Sequence, residues 1–129
     1  MIVLDTHAWI WWVSDPAKLS HKAQAALHYA TTIGICPIGC WEIATKVAQG
    51  KLTLDREIRV WMRQALARPG VTLIPISPDI AITAGQLGQQ GFHGDPADRL
   101  IVSSAIQHGA ELITKDRNIR TFPLVRTVW

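Results

Sequence analysis

MIVLDTHAWIWWV, residues 1–13, decides the fold: an apolar run stops at a carboxylate, Asp5, and a second apolar stretch free of proline and glycine begins at once. Met1 to Leu4 predicts a short buried strand, and Thr6 to Val13 a helix that Ser14-Asp15-Pro16 ends. The same step from strand to helix recurs downstream. Ser20 is placed to N-cap a helix to about Ala30, and Ile33 to Cys36 reads as a second strand. Pro37 opens a helix that carries Trp41, Glu42, Ile43 and Val47 and stops at Gly50. Asp55 is expected to cap a helix whose Ile58, Trp61, Met62, Ala65 and Leu66 share one face, with Pro69-Gly70 as its end.

Val71 to Ile76 predicts a strand, Ser77-Pro78 the start of another helix, and Gly88 to Gly94 a loop. Asp95-Pro96 starts a helix to about His108, and Glu111 to Thr114 and Leu124 to Trp129 supply the last strands. Strands alternating with helices imply an α/β fold: a mainly parallel central sheet flanked by helices on both faces. At 129 residues the chain fits one domain, residues 1–129, with a core that needs no disulfide or structural metal.

Composition narrows the class. An apolar fraction of 48% with 18% charged residues suits a compact soluble chain, and no apolar run approaches the roughly 18 residues of a membrane span. MIVLDTH has no basic stretch before its apolar residues and no small-residue cleavage site, so it does not read as a signal peptide and a cytoplasmic location is expected. Cys36 and Cys40, without further Cys or clustered His, cannot complete a zinc site; they read as reduced core residues.

Four acids stand out against this background: Asp5, Glu42, Asp98 and Asp116. Glu42 is the only charge between Ala23 and Thr45. In a parallel sheet the functional crevice lies at the carboxyl ends of the strands, where Asp5 and Asp116 fall. Asp98 has Ile101, Val102 and Ala105 at i+3, i+4 and i+7, so it points along an apolar helix face toward the sheet. Isolated carboxylates are costly to bury unless paired or bound to metal, so a divalent cation is the simplest partner for the group. Setting these four aside leaves six of ten acids against 13 Lys and Arg, about +7 on the remaining surface, a field that attracts a polyanion. Arg56, Arg59 and Arg63 fall near one helical face, and Lys115, Arg117, Arg120 and Arg126 crowd the C-terminal segment.

Each acid also has a local explanation. Asp5 suits an N-cap; Glu42 has Lys46 at i+4, a favourable exposed pair; Asp98 could complete a capping arrangement begun by Asp95; Asp116 could be a turn residue near Asn118. Four such accidents converging on one sheet edge are harder to accept than one site.

The segments LDTHAWIWW, WEIATKVAQGKLTL, PISPDIAITAGQL, DPADRLIVSSA and LITKDRNI, in that order over nearly the whole chain, resemble the PIN-domain nucleases and, more closely, the VapC-like toxins of bacterial toxin–antitoxin pairs. The resemblance implies a three-layer PIN-like fold and an Mg²⁺-dependent endoribonuclease, with Mn²⁺ able to substitute, that hydrolyses RNA and is restrained by a cognate antitoxin. It also implies that Asp5, Glu42, Asp98 and Asp116 bind the metal, with Thr6 and Thr114 as supporting hydroxyls. Asp95 is ambiguous, because the subgroup resembled also carries Asp-Pro ahead of the metal acid.

The residue types agree with that chemistry. Four carboxylates offer hard oxygen ligands suited to Mg²⁺ or Mn²⁺, and such ions activate water for in-line attack on a phosphodiester. No nucleophile elbow, phosphate-binding glycine loop or His-Glu-x-x-His motif competes. Arg99, Lys115 and Arg117, beside two of the acids, are candidates to hold substrate phosphates. His7 and His93 fall near the expected mouth of the site, with a structural or surface role as the competing reading. Trp9, Trp11 and Trp12 crowd a segment apolar all round; the core accounts for two, and the third points to an interface with an antitoxin segment or in a homodimer. Two other readings remain. A non-catalytic PIN-fold module holding RNA or protein would lack metal-dependent hydrolysis, and a phospho-acceptor receiver domain is disfavoured because Asp5 has no adjacent acidic partner.

Overall fold

The computed structural model describes all 129 residues. Alternation along β1 (Ile2–Leu4) divides the core: Ile2 and Leu4 face one side of the sheet and Val3 the other. β1 pairs with β2 (Ile33–Ile35) on one edge and with β4 (Glu111–Ile113) on the other. β3 (Val71–Leu73) and β5 (Thr127–Val128) extend the sheet to the order β3-β2-β1-β4-β5, and every pairing is parallel. The sheet is thus wholly rather than mainly parallel, with β1 at its centre.

Helices cover both faces. On one side α1 (Thr6–Ser14), α2 (His21–Tyr29), α3 (Ile38–Ala48) and α4 (Ile58–Leu66) pack Ala8, Trp9, Leu27, Ile43 and Trp61 against Ile2, Leu4, Ile33 and Ile35. On the other, α5 (Pro78–Gln86), α6 (Pro96–Gln107) and α7 (Arg117–Arg120) pack Ile80, Ile101, Val102 and Ile119 against Val3 and Leu112. No helix is long and apolar enough to cross a membrane. Cys36 and Cys40 are free, Cys36 buried and Cys40 half-buried against the other core layer.

Ser20 and Ser77 cap α2 and α5 as expected, accepting from Ala23 N at 3.1 Å and Ile80 N at 3.2 Å. α4 starts later than its sequence implies. Asp55 is engaged with Arg56 through two bonds of 2.8 and 2.7 Å, and Glu57 caps the helix instead, accepting from the backbone N–H of Arg59 and Val60. Arg56 therefore precedes the helix and does not share a face with Arg59 and Arg63. β3 ends at Leu73 because Ile74 makes the last bond to Ile35 O, at 2.9 Å, and Pro75 has no N–H to continue it. Pro123 and exposed Leu124 likewise lie outside β5. Residues 87–90 form a 3-10 turn that begins just before the expected Gly88–Gly94 loop and takes up its first half, and the four-residue α7 has no counterpart in the sequence reading.

Candidate active site

Asp5 and Asp116 follow the carboxyl ends of β1 and β4, neighbouring strands held in register by Leu4 and Ile113. Both are helix N-caps. Asp5 Oδ1 accepts from Ala8 N at 2.8 Å, and Asp116 Oδ1 from Ile119 N at 3.0 Å. Each bond fixes one carboxylate oxygen on its helix, and the Asp5 carboxylate also takes a hydrogen bond from the Thr114 hydroxyl. A cleft of about 310 Å³ is lined by Asp5, His7, Trp11, Lys115 and Asp116.

Glu42 enters from α3. Its Oε1 accepts a short hydrogen bond from the Thr6 hydroxyl, which ties α3 to the first turn of α1. The expected surface pair between Glu42 and Lys46 does not form; Lys46 Nζ donates instead to His7 Nε2 at 3.2 Å.

Asp98 lies in the first turn of α6, half-buried above Ile101 and Val102. Asp95 is the exposed N-cap, its Oδ1 accepting from Asp98 N at 2.8 Å. Gly94 allows this entry, since a Cβ there would meet the Phe92 ring at 2.5 Å and Asp98 Cβ at 3.2 Å. Burial, then repulsion from Asp95, Asp116, Glu42 and Asp5, pushes the Asp98 carboxyl up to about 7. Burial also raises Asp5, partly offset by the Thr114 hydroxyl and the Ala8 N–H. The four acids thus face one another across the sheet edge. The ion pairs of the chain lie elsewhere, at Lys18–Asp15, Arg56–Asp55 and Arg59–Glu57, so none of the four acids is in a salt bridge, and only His7 acts on Asp5 as a favourable charge. As the side chains stand, no three acidic, His or Cys groups close around one point as metal ligands.

Both supporting threonines are buried in the site. Thr114 Oγ1 also accepts from Asp116 N at 3.0 Å and so shapes the turn from β4 into α7. Of the three candidate phosphate-binding cations, Lys115 lines the cleft, its Nζ 5.9 Å above the Trp11 ring. Arg117 is exposed on α7. Arg99 is directed elsewhere: its Nε donates to Gly94 O at 2.8 Å, and it lines a separate cleft between α5 and α6. His7 sits in the acidic cleft, whereas His93 lines a different one with Phe92 and Phe122. The role of Lys46 had no local signal, because the i+4 spacing assigns it to Glu42 and its true partner is 39 residues away.

Comparison with known proteins matches residues 2–123 to the PIN domain. The chain is 37% identical over 130 residues to the ribonuclease VapC22 of Mycobacterium tuberculosis, covering 99% of this chain and 98% of that protein. Its fold is similar to VapBC2 from Rickettsia felis bound to a promoter DNA fragment, with a TM-score of 0.72 at 21% identity over 98% of this chain and 97% of that one. It is also similar to a toxin–antitoxin complex from Klebsiella pneumoniae, with a TM-score of 0.69 at 24% identity over 97% and 95% of the two chains. A family match over so much of the sequence, joined to a relative of this identity along its full length, makes the chain a member of the PIN domain family, on its VapC branch.

Proposed function

We propose that the chain is an endoribonuclease dependent on Mg²⁺ or Mn²⁺, and that it acts as a toxin restrained by a protein antitoxin. The observation that carries this reading is the convergence of Asp5, Glu42, Asp98 and Asp116 with none of them in a salt bridge and the Asp98 carboxyl raised to about 7. A donor set of hard oxygens fits a divalent cation such as Mg²⁺ or Mn²⁺. Such an ion supplies, when bound, activation of water and stabilisation of the leaving oxygen.

The chain's own residues supply the rest. Asp5 and Asp116, each locked by its cap, present their carboxylates from the two strand ends. The Thr6 hydroxyl orients Glu42, and Thr114 fixes both the Asp5 side and the Asp116 turn. Lys115 provides positive charge at the rim for a phosphate of the strand. The ribonuclease relative supports RNA as substrate, and the resemblance to toxin–antitoxin complexes supports a protein partner; assembly of the toxin as a homodimer belongs to the same proposal.

Hydrolysis of RNA by protein stripped of metal, then supplied with Mg²⁺ or Mn²⁺, tests the reading and separates it from a non-catalytic binding module. Cleavage should appear only with the cation and vanish in excess EDTA. Cleavage that survives the chelator would exclude the metal mechanism.

A further inference from the structure

A second cleft, about 180 Å³, adjoins the acidic one and has Trp41, Glu42, Thr45, Lys46, Gln49 and Lys51 in its walls. The two meet at the hydrogen bond between Lys46, which lines one, and His7, which lines the other. Trp41 precedes Glu42 directly on α3 yet is 61% exposed. The other five tryptophans are engaged: Trp9 with Trp61, Trp11 with Trp129, and Trp12 under Arg68. Trp41 alone has no ring or guanidinium against it.

The lysines beside it have no acidic partner. Neither Lys46 nor Lys51 is in an ion pair. Gly50, at φ +70°, turns the chain at the end of α3 so that Lys51 N donates to Lys46 O at 2.9 Å, which brings the second lysine back beside the first. An open indole face flanked by unpaired ammonium groups matches a polyanion that carries flat rings. Single-stranded nucleic acid binds in this way, with bases stacked on aromatic side chains and phosphates on lysines. A duplex keeps its base faces inside, and a protein partner would meet little apolar surface here, since Trp41 is the one hydrophobic residue in the cleft wall.

We infer that Trp41 stacks a base of single-stranded RNA while Lys46 and Lys51 hold adjacent phosphates, leading the strand past Glu42 into the acidic cleft. The inference rests on the nuclease reading above, and it adds a binding subsite that makes cleavage depend on unpaired RNA extending beyond the cut.

The test compares the wild type with Trp41→Ala, Trp41→Phe and Lys51→Gln. Anisotropy of a labelled uridylate oligomer of about twelve nucleotides, in chelator so that nothing is cut, gives Kd; cleavage of the same oligomer with Mn²⁺ gives KM and kcat. Trp41→Ala should raise Kd and KM about tenfold, with kcat within about twofold, as expected for loss of one stacked base. Trp41→Phe should restore most of the loss. Lys51→Gln should weaken binding and reduce the slope of log Kd against log salt by about one phosphate contact. Tyr29→Ala, at an 82% exposed position on α2, is the control and should change nothing.

Wild-type Kd and KM in Trp41→Ala, with the wild type active, would overturn the inference. So would conversion of a dimer to a monomer by Trp41→Ala in sedimentation, which would assign the indole to a second copy of the chain. Trp41-dependent binding without metal-dependent cleavage in the wild type would leave the subsite standing and remove the nuclease reading.

Discussion

A carboxylate that caps a helix through one oxygen keeps a second oxygen for another partner. Asp5 and Asp116 each spend Oδ1 on a helix N–H, so the local explanation of these residues holds, and it leaves room for the proposed functional one. A cap holds the group at a fixed angle, which an exposed flexible acid would not offer. Asp95 and Asp98 divide the same roles between two residues. Asp95 is exposed and caps; Asp98 is half-buried and faces the other acids. Asp95→Ala should cost about 1 kcal/mol of stability, the usual loss of a cap, and retain most activity. Because Asp95 is the charge that raises Asp98 most, that variant should also shift the acid limb of the pH–rate profile downward. Asp98→Ala should abolish cleavage and weaken Mn²⁺ binding while the fold survives. Melting, metal titration and RNA cleavage on both variants decide it, and an essential Asp95 beside a dispensable Asp98 would move the site one helical turn.

At the scale of elements, α1 shows what sequence could and could not convey. Its apolar character all round is explained in part by the chain itself: Trp61 covers Trp9 with ring centroids 5.8 Å apart, and Trp129 lies 5.9 Å from Trp11. Trp11 belongs to the acidic cleft, so a charge placed there would mix effects on catalysis and association. Trp12 is the cleaner probe. It is half-buried, with Arg68 4.0 Å over its ring, beside an open furrow of about 260 Å³ lined also by Leu19 and Leu27. Trp12→Glu should weaken association with an antitoxin by at least tenfold and leave kcat within about twofold, as for loss of an aromatic anchor. Sedimentation alone and with the partner reads the outcome; unchanged association would return Trp12 to the core.

The alternation of strands and helices, most cap residues and the positions of Asp5 and Asp98 were legible because each depends on neighbours within a turn or a strand. Element ends, the choice of Glu57 over Asp55, and the bonds from Thr6 to Glu42 and from Lys46 to His7 were not. They depend on partners that only the folded chain brings close.

Across the whole molecule, net charge and site charge oppose one another. The chain is +3 overall, yet its centre gathers four acids outside any salt bridge, and folding without metal must hold them together. Asp98 faces Asp95 at the start of its own helix, Glu42 on α3, Asp5 after β1 and Asp116 after β4, with His7, Lys46 and Lys115 the nearest bases in the two clefts. Its folded pKa of about 7 exceeds the unfolded 3.8, so between those values the folded chain binds more protons than the unfolded one. Stability from this group is therefore full below about pH 4 and is lost as the pH rises through about 7. Asp5, also raised by burial, acts in the same direction. The melting temperature of metal-free protein should fall from about pH 5 to about pH 8, and Asp98→Asn should flatten that fall, the difference between the two curves removing the common contribution of the five histidines. Mn²⁺, which binds the deprotonated acids of the folded state, should raise the melting temperature more at the upper end of this range than at the lower. Equal metal-free curves for the wild type and Asp98→Asn would mean that Asp98 titrates like an exposed carboxylate and that the four acids do not share one field.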